Sequence, residues 1–338
     1  MFSDILKKIV AGENLYESTM ADAMEEILAG RATDAQIGAL MAGLAAKGET
    51  FEELAGAARA MRKNATRIHA GGACFDTCGT GGDGLSTFNI STITAFVVAA
   101  GGVTVAKHGN RSVSSTCGSA DVLEALGVDL SVSPDVVEEA IAEVGIGFLF
   151  APTFHGAMRH AAAARKETGL RSIFNMVGPL TNPAGASRQL LGVYAPHLTE
   201  MFAEALRLLG SRRAMVVHGH DGLDEISVCA PTRVTELNNE LIRTTDIDPT
   251  DYFGELAPPD ALKGGSPEEN ARIARDILSG DERGHRRNVV LINAGAALMA
   301  ADKADTLRDG IFLAEEAIDS GNAMAKLEGL ARYTTENA

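Results

Sequence analysis

The chain has few cysteines and lacks any long apolar run. Its 338 residues include four cysteines, Cys74, Cys78, Cys117 and Cys229, with no Cys-x-x-Cys pair and no neighbouring pair of histidines. We therefore expect reduced thiols and no zinc site. No apolar run approaches the ~20 residues that a membrane-spanning helix requires, and the N-terminus lacks a signal-peptide pattern. The sequence thus predicts a cytoplasmic protein with no membrane partner.

Basic residues are also in deficit. The chain has 30 Lys and Arg against 45 Asp and Glu, which gives a formal net charge of -15. This balance argues against nucleic acid as a general partner. The hydrophobic content of 46% is ample for a buried core, and the length suggests two domains, or one large domain with a smaller appendage.

The hydrophobic pattern changes character near residue 70. Residues 1–70 have helical periodicity, with capping boxes that begin at Thr33 and Thr50. Residues 71–338 alternate between strand and helix patterns, with further helix starts at Ser133 and Ser266. We therefore predict an α/β protein with a small all-helical N-terminal domain and a larger domain with a mostly parallel central sheet flanked by helices. The predicted strands include residues 103–106, 146–150, 215–217 and 226–228 and the region of Val193, and the predicted long surface segment is residues 244–259.

A glycine-rich segment, DTCGTGGDG at residues 76–84, follows the helical part. Its glycines permit positive φ angles and let backbone amides approach a ligand closely. Glycines also serve ordinary turns, so this segment alone does not separate an anion site from a turn. Downstream, TFNISTITAFVVAA at residues 87–100 predicts a helix whose free N–H groups face the same ligand.

A second polar segment, KHGNRSVSS at residues 107–115, follows a predicted buried strand. It combines basic groups with hydroxyl donors, and two such loops one βα unit apart favour a phosphorylated ligand. No Gly-Lys-Ser/Thr follows the glycines, and the context of a dinucleotide fingerprint is missing. The sequence therefore indicates neither ATP nor NAD.

An acidic segment, HGHDGLDE at residues 218–225, follows another apolar run. The His-x-His-x-Asp spacing would suit a transition metal, but no cysteine or further histidine lies near enough to complete the ligands. The adjacent Asp224 and Glu225 are better suited to Mg²⁺, which binds few carboxylates and bridges phosphates. A charged turn between strands is the alternative. No Ser-His-Asp or Cys-His nucleophile constellation is evident.

The segments DTCGTGGDG, TFNIST, KHGNRSVSS and GSADVLEALG closely resemble the anthranilate phosphoribosyltransferase family. The resemblance continues through residues 169–183 and HGHDGLDE, so it covers nearly the whole chain. It implies transfer of the phosphoribosyl group of phosphoribosyl pyrophosphate (PRPP) to the amine of anthranilate, with release of pyrophosphate, in tryptophan biosynthesis. It also implies two Mg²⁺ ions per subunit, a homodimer through the helical domain, and helices from about 165–187 that join this domain.

The resemblance assigns roles to individual residues. It places at the PRPP site Gly79, Thr80, Gly81, Gly82, Asp83, Thr87, Asn89, Ile90, Ser91, Thr92, Lys107, His108, Gly109, Asn110, Arg111, Ser112, Val113, Ser114, Ser115 and Ser119. It places at the anthranilate site Gly79, His108, Asn110, His155, Arg165, Gly178 and Pro179. It assigns Ser91, Asp224 and Glu225 to the metal, and no general base or covalent nucleophile.

Two other functions stay open from the sequence. A pyrimidine nucleoside phosphorylase shares the fold and the glycine-rich loop, but it should carry a different basic motif in place of KHGN and lack the acidic pair. A non-catalytic nucleic-acid-binding relative should have basic surface helices and altered loop or metal residues.

Overall fold

The computed structural model describes residues 2–112 and 116–338. Within these residues it contains seven strands, sixteen α-helices and three 3₁₀ helices. None of the helices in this part of the chain is both long and apolar enough to span a membrane.

The N-terminal part consists of four helices. They are α1 (Phe2–Val10), α2 (Glu17–Leu28), α3 (Asp34–Lys47) and α4 (Phe51–Asn64). Both predicted capping boxes are confirmed. The hydroxyls of Thr33 and Thr50 each accept a hydrogen bond from the backbone N–H of the third helical residue, and their own backbone N–H groups donate to the side chain of that residue, Gln36 or Glu53. At Gly56 a Cβ would lie 2.3 Å from the carbonyl oxygen of Glu17, so only glycine allows α4 to pack this closely on α2.

One seven-stranded sheet forms the centre of the larger part. Its strands are β1 (Phe75–Gly79), β2 (Val105–Gly109), β3 (Ile146–Phe150), β4 (Arg188–Gly192), β5 (Arg213–Gly219), β6 (Thr232–Asn238) and β7 (Leu241–Ile247). The spatial order is β3-β2-β1-β4-β5-β6-β7. The first five strands in this order are parallel to one another, whereas β6 runs antiparallel to β5 and β7 runs antiparallel to β6. The predicted α/β fold with a mostly parallel sheet and a helical N-terminal part is therefore confirmed.

Helices cover both faces of this sheet. They are α5 (Ile90–Ala100), α6 (Ser119–Ala125), α7 (Pro134–Val144), α8 (Ala151–Phe154), α9 (Ala162–Thr168), α10 (Ile173–Met176), α11 (Leu198–Leu208), α12 (Thr250–Phe253), α13 (Pro267–Leu278), α14 (His285–Ala300), α15 (Leu307–Asp319) and α16 (Asn322–Glu336). The 3₁₀ helices are Gly156–Ala161, Gly178–Leu180 and Pro259–Leu262. The predicted caps Ser133 and Ser266 both accept a hydrogen bond from the first turn of their helices.

The two faces of the sheet have separate cores. On one face the apolar side chains of α5 and α13 to α16, among them Phe96 and Leu298, pack against the strands. On the other face α1 to α4 share a core with α9, α10 and α11, as the buried Met24, Phe174 and Phe202 illustrate. Residues of α9 and α10 thus pack with the N-terminal helices, although they follow β3 in the sequence.

One predicted strand is wrong. Residues 226–228 are buried, but they do not pair with another strand. Instead the side chain of Asn293 accepts a hydrogen bond from the N–H of Ile226 at 3.0 Å and donates one to its carbonyl at 2.8 Å. A side chain of α14 therefore satisfies the backbone groups that a neighbouring strand would have satisfied.

Other boundaries also differ from expectation. The strand predicted at 103–106 begins at Val105 and extends to Gly109, and β4 ends one residue before Val193. The predicted surface segment 244–259 begins inside β7, an edge strand whose residues are mostly exposed. The segment from His155 to Arg165 forms a 3₁₀ helix followed directly by α9.

Candidate active site

The three polar segments meet at one edge of the sheet. The glycine-rich segment begins within β1, the basic segment within β2 and the acidic segment within β5, and each continues beyond the carboxyl end of its strand. These three strands are parallel. The carboxyl ends of parallel strands lie on the same edge, where α/β proteins bind their ligands. This edge is therefore the candidate active site.

Glycines let the acidic segment lie directly across the strand ends. A Cβ at Gly79 would lie 2.8 Å from Oδ2 of Asp224, and one at Gly192 would lie 1.5 Å from the Asp224 carbonyl oxygen. The N–H of Gly81 donates to Oδ2 of Asp224 at 2.9 Å. Gly81 and Gly82 have φ angles of 64° and 80°, a region that favours glycine. The glycine-rich loop thus packs against the predicted metal carboxylates.

Three carboxylates gather at this point. Burial, with repulsion by Asp83, raises the pKa of Asp224 to about 7. Burial, with repulsion by Asp224, raises the pKa of Glu225 well above its usual range. One carboxylate oxygen of Asp83 is buried and has no hydrogen-bond partner within the described residues. The sequence reasoning assigned Asp83 only to PRPP, although its place in the GGDG segment puts it beside the acidic pair.

This cluster suits a hard divalent cation. The donors are carboxylate oxygens, together with the hydroxyl of Ser91, whose backbone N–H donates to Glu225. Burial and mutual repulsion disfavour the charged carboxylates, so a bound cation would stabilise them. Although the three carboxylates are near one another, no three His, Cys, Asp or Glu side chains of the described residues are already placed to bind one ion together. Mg²⁺ matches this arrangement because it takes one or two carboxylates and completes its shell with water and phosphate oxygens.

The histidines of the acidic segment have other partners. Nδ1 of His218 lies 2.7 Å from the Val193 carbonyl oxygen, and Nε2 of His220 lies 3.5 Å from Asp246. The two rings are therefore engaged separately, which does not support the transition-metal alternative.

Lys107 is a buried cation beneath the loops. Its ammonium donates to the Thr77 carbonyl at 2.5 Å and to the Ser91 hydroxyl at 3.3 Å. Burial lowers its pKa, and the nearby Asp76 and Glu225 oppose this shift. Lys107 thus joins β1 and the start of α5 to the acidic pair.

Two neutral histidines form a second part of the site. The rings of His108 and His155 lie 5.1 Å apart. Burial lowers the pKa of His108 to about 3 and that of His155 to about 4. Nε2 of each ring is buried and has no partner among the described residues, while His108 also hydrogen-bonds to the backbone of Gly178. The predicted anthranilate residues His108, His155 and Gly178 therefore lie together.

Arg165 and Pro179 lie on the connection between β3 and β4, which packs against the N-terminal helices α1 to α4. The Arg165 guanidinium lies 5.6 Å from the centre of the Phe174 ring. Burial lowers its pKa, and no carboxylate of the described residues offsets this shift. Pro179 is buried, and its carbonyl accepts a hydrogen bond from Gln189 at 2.8 Å. Arg165 is thus a partly buried cation without an anionic partner in the described part of the chain.

Several predicted PRPP residues have side chains that face the protein. Ile90 and Thr92 are buried in α5, and their backbone N–H groups donate to the carbonyls of Phe88 and Asn89. Asn89 donates to the Cys117 carbonyl at 3.1 Å and accepts from Asn270 at 3.0 Å. The assignment of these three residues to PRPP stays a prediction.

Arg111 also has partners within the protein, and its assignment to PRPP stays a prediction. It is ion-paired with Asp121 at 3.0 Å and Glu124 at 2.5 Å, and it lies 5.6 Å from the centre of the Phe150 ring. Its pKa is raised by these carboxylates, first by Glu124. The structure therefore directs Arg111 toward α6 rather than leaving it as an open cation for phosphate.

The remaining predicted residues hold the two loops in place. The Thr80 hydroxyl accepts from the N–H of Tyr194 at 3.2 Å, and Thr87 forms a bridge with Lys263. Ser119 donates to the Asn110 carbonyl at 3.2 Å, and a Cβ at Gly109 would lie 2.3 Å from the Ser119 hydroxyl. The N–H of Ser112 donates to Asp121 at 3.2 Å. The predictions for Val113, Ser114 and Ser115 lie outside the described residues.

Sequence reasoning missed Asp76 and Asn182. The buried Asp76 accepts hydrogen bonds from the N–H of His108 at 3.1 Å and from Asn182 at 2.7 Å. Burial raises its pKa to about 6, and Lys107 opposes the shift. This pair ties the turn after Gly178 to β1 and β2. Asp76 lies in the DTCG segment, but the sequence pattern of this strand did not indicate that its side chain is buried.

Comparison with known proteins identifies relatives over the whole chain. Residues 71–324 match the glycosyl transferase family, a/b domain, and residues 3–65 match the glycosyl transferase family, helical bundle domain. The chain is 64% identical to the anthranilate phosphoribosyltransferase of Desulfosudis oleivorans and 65% identical to that of Syntrophobacter fumaroxidans, in both cases over all of both chains.

Solved structures agree with these relatives. The anthranilate phosphoribosyltransferase of Thermus thermophilus superposes with a TM-score of 0.93 at 45% identity, with coverage of 98% of this chain and 99% of that one. The enzyme of Saccharomyces cerevisiae in complex with PRPP and Mg has a TM-score of 0.89 at 28% identity, with coverage of 99% and 98%. The chain therefore belongs to the anthranilate phosphoribosyltransferase family.

Proposed function

We propose that this protein transfers the phosphoribosyl group of PRPP to the amine of anthranilate and releases pyrophosphate, the reaction that serves tryptophan biosynthesis. The observation that carries the proposal is the pairing of two sites at one sheet edge. One is the carboxylate cluster against the glycine-rich loop, and the other is the pair of neutral histidines near Gly178. The first has the chemistry for a metal diphosphate, and the second has the chemistry for a small planar amine.

The PRPP site is formed by backbone donors and cations. Backbone N–H groups of the glycine-rich loop are suited to phosphate oxygens, although those of Thr80 and Gly81 here donate to the Gly192 carbonyl and to Asp224. Lys107 adds a positive charge close to Glu225. We assign Asp224, Glu225 and Ser91 to Mg²⁺, with two ions per subunit, and Asp83 lies near enough to take part.

The anthranilate site is proposed to lie between the histidines and Arg165. The unpartnered Nε2 atoms of His108 and His155 offer polar contacts, and Arg165 offers a planar partner for the carboxylate. Both imidazoles are neutral at pH 7, because burial lowers their pKa values to about 3 and about 4. Each ring donates its other N–H to a backbone carbonyl, that of Gly178 for His108 and that of Thr181 for His155. The Nε2 atoms of the neutral rings can therefore accept a hydrogen bond from the amine without placing a charge in the site.

In this reaction the chain's residues position the substrates and stabilise developing charge. Bound Mg²⁺ supplies electrostatic stabilisation of the departing diphosphate. The loop amides and Lys107 contribute further stabilisation, and the histidine pair holds the amine against the ribose. An aryl amine is uncharged at neutral pH, so no strong general base is required. This is consistent with a site that contains neutral histidines and no activated nucleophile.

The rival functions lack support. A pyrimidine nucleoside phosphorylase is expected to lack the acidic pair, yet Asp224 and Glu225 are buried against Gly81 and Ser91. A nucleic-acid-binding relative is expected to be basic, but the chain has a net charge of -15.

The test is a substrate-omission assay. Anthranilate fluorescence should fall in the presence of the protein, PRPP and Mg²⁺, and should stay constant when any one of these is left out. A parallel reaction with a pyrimidine nucleoside and phosphate should release no free base. Constant anthranilate fluorescence in the complete mixture would refute the proposal.

We also propose the finer organisation of the protein. Residues 1–70, with the helices from about 165–187, form one domain, and residues 71–338 form the domain that binds PRPP. The helical domain is the proposed homodimer contact, and its exposed Val10 and Tyr16 offer apolar surface for it. The proposed location is the cytoplasm. Light scattering of the protein and of its Val10→Asp variant would test the dimer, which the variant should weaken.

A further inference from the structure

Arg171 bridges the glycine-rich loop and the rest of the protein. It lies in the short link between α9 and α10, and its Nη2 donates to the Gly82 carbonyl at 2.9 Å. Its guanidinium also lies 4.1 Å from the centre of the Tyr194 ring. Arg171 lies within residues 169–183, over which the family resemblance continues, but the sequence gives it no role there, and Tyr194 lies outside the motifs identified in the sequence.

The contact is close and depends on glycine. A Cβ at Gly82 would lie 2.3 Å from Nη2 of Arg171, so a side chain at this position would displace the guanidinium from its present place. The φ angle of Gly82 is 80°, which turns its carbonyl into this position. The loop conformation and the arginine contact therefore depend on each other.

Tyr194 contacts the same loop just after β4 and also lies near the link between α3 and α4. Its N–H donates to the Thr80 hydroxyl at 3.2 Å, immediately after β4. Burial raises the pKa of the Tyr194 phenol, while Arg171 lowers it and Glu49, between α3 and α4, raises it. Tyr194 thus lies near both Glu49 of the N-terminal helices and Arg171.

We infer that Arg171, stacked on Tyr194, is a positioning residue that holds the glycine-rich loop in its PRPP-binding conformation. Arg171 acts through the loop and not by contact with the substrate. The inference rests on the proposed function, because it concerns the same PRPP site. A guanidinium serves here because its planar face stacks on the ring while its edge donates to a carbonyl, which an ammonium cannot do together.

Hydrogen exchange without substrates measures the loop directly. In Arg171→Ala, exchange in peptides that cover residues 79–87 should rise about five- to tenfold, because one charge-assisted hydrogen bond and one cation–π contact are lost. Exchange in the core of α5 should not change. The matched control is Arg243→Ala, an exposed arginine on β7, for which the loop should exchange as in the parent.

Binding and kinetics then test the link to PRPP. In Arg171→Ala the dissociation constant for PRPP with Mg²⁺, measured by calorimetry, should rise about five- to tenfold, while the KM for anthranilate should stay within about twofold. Arg171→Lys should recover only part of this loss. Tyr194→Phe, which keeps the ring, should resemble the parent, whereas Tyr194→Leu should resemble Arg171→Ala.

Each pattern of results decides the inference. Faster loop exchange together with weaker PRPP binding supports it. Weaker binding with unchanged exchange would contradict it, because Arg171 would then contact the substrate directly. Faster exchange with unchanged binding, or no change in either, would also contradict it. Since loop exchange needs no substrate, and the parent's activity is measured separately, a failure of the proposed reaction would be seen independently. Melting temperatures identify a variant that has lost its fold, and the Tyr194 pair then provides the test.

Discussion

Removal of the Arg165 guanidinium should affect one substrate far more than the other. Arg165 is partly buried above Phe174, and burial lowers its pKa with no carboxylate of the described residues to offset the shift. A cation held in this way is desolvated without an ion pair, and a bound carboxylate would supply the missing partner. Arg165→Ala should therefore leave the anthranilate carboxylate unpaired in the site.

The expected loss follows from this environment. Truncation of one member of a buried charge pair costs about 2 to 5 kcal/mol, and partial exposure of Arg165 favours the lower part, about 2 to 3 kcal/mol. This corresponds to a rise of about 30- to 150-fold in the KM for anthranilate. The KM for PRPP should change by less than about twofold, because its phosphates are assigned to the other loops. Arg165→Lys should restore the affinity only in part, since an ammonium cannot form a planar bidentate contact.

Steady-state kinetics with each substrate varied in turn provide the assay. Arg159→Ala is the matched control, because Arg159 lies on the same connection but is exposed and, among the residues that the structure describes, donates only to the nearby Gly156 carbonyl. It should leave both KM values unchanged. Equal increases in both KM values for Arg165→Ala, or no increase in either, would refute the assignment of Arg165 to the carboxylate. A lower melting temperature with unchanged kinetics would mean that Arg165 serves only its own helix.

Three further predictions concern the metal, the strand end and pH. Asp224→Asn combined with Glu225→Gln should reduce turnover at saturating substrates at least about a hundredfold, because a major electrostatic contribution is lost. The circular dichroism spectrum should stay that of the parent. Undiminished turnover of the parent in excess EDTA would show that the reaction needs no metal. Gly79→Ala should lower PRPP affinity by displacing Asp224, since its Cβ would lie 2.8 Å from a carboxylate oxygen, whereas Gly72→Ala meets no atom within 4 Å and should behave as the parent in the same titration. His155 stays neutral in the folded protein down to about pH 4, but in the unfolded chain it gains a proton near its usual pKa of 6.5, so stability is lost as pH falls from 7 to 5. His155→Asn should remove about 2 kcal/mol of that loss in urea unfolding at the two pH values, and an identical pH dependence in the variant would contradict the buried neutral state.

Local chemistry made the helix starts and the parallel strands predictable. The capping residues Thr33, Thr50, Ser133 and Ser266 act within one helical turn, so the sequence pattern contains the whole interaction. The strand at residues 146–150 is a continuous apolar run between a glycine and a proline, and β3 has these bounds. The meeting of the three polar segments followed from the rule for parallel strands.

Interactions between distant segments could not be predicted in the same way. The false strand at 226–228 is a buried segment in which the backbone of Ile226 is satisfied by Asn293, 67 residues away. The hairpin of β6 and β7, in contrast, is local. It turns at Asn239, which has a φ of 55°, and the alternating TRVTELN run is typical of its first strand. The engagement of Arg111 by Glu124 depends on the position of α6, which a loop motif does not contain.

The central claim concerns the chemistry that the two neighbouring parts of the site perform together. The most direct measurement is the stoichiometry of the reaction, with anthranilate consumed and pyrophosphate released determined in the same sample, and the mass of the product determined alongside. The account predicts one pyrophosphate for each anthranilate and a product in which the phosphoribosyl group is joined to the anthranilate amine. Release of pyrophosphate without consumption of anthranilate, or an unchanged anthranilate mass after prolonged incubation with PRPP and Mg²⁺, would contradict it.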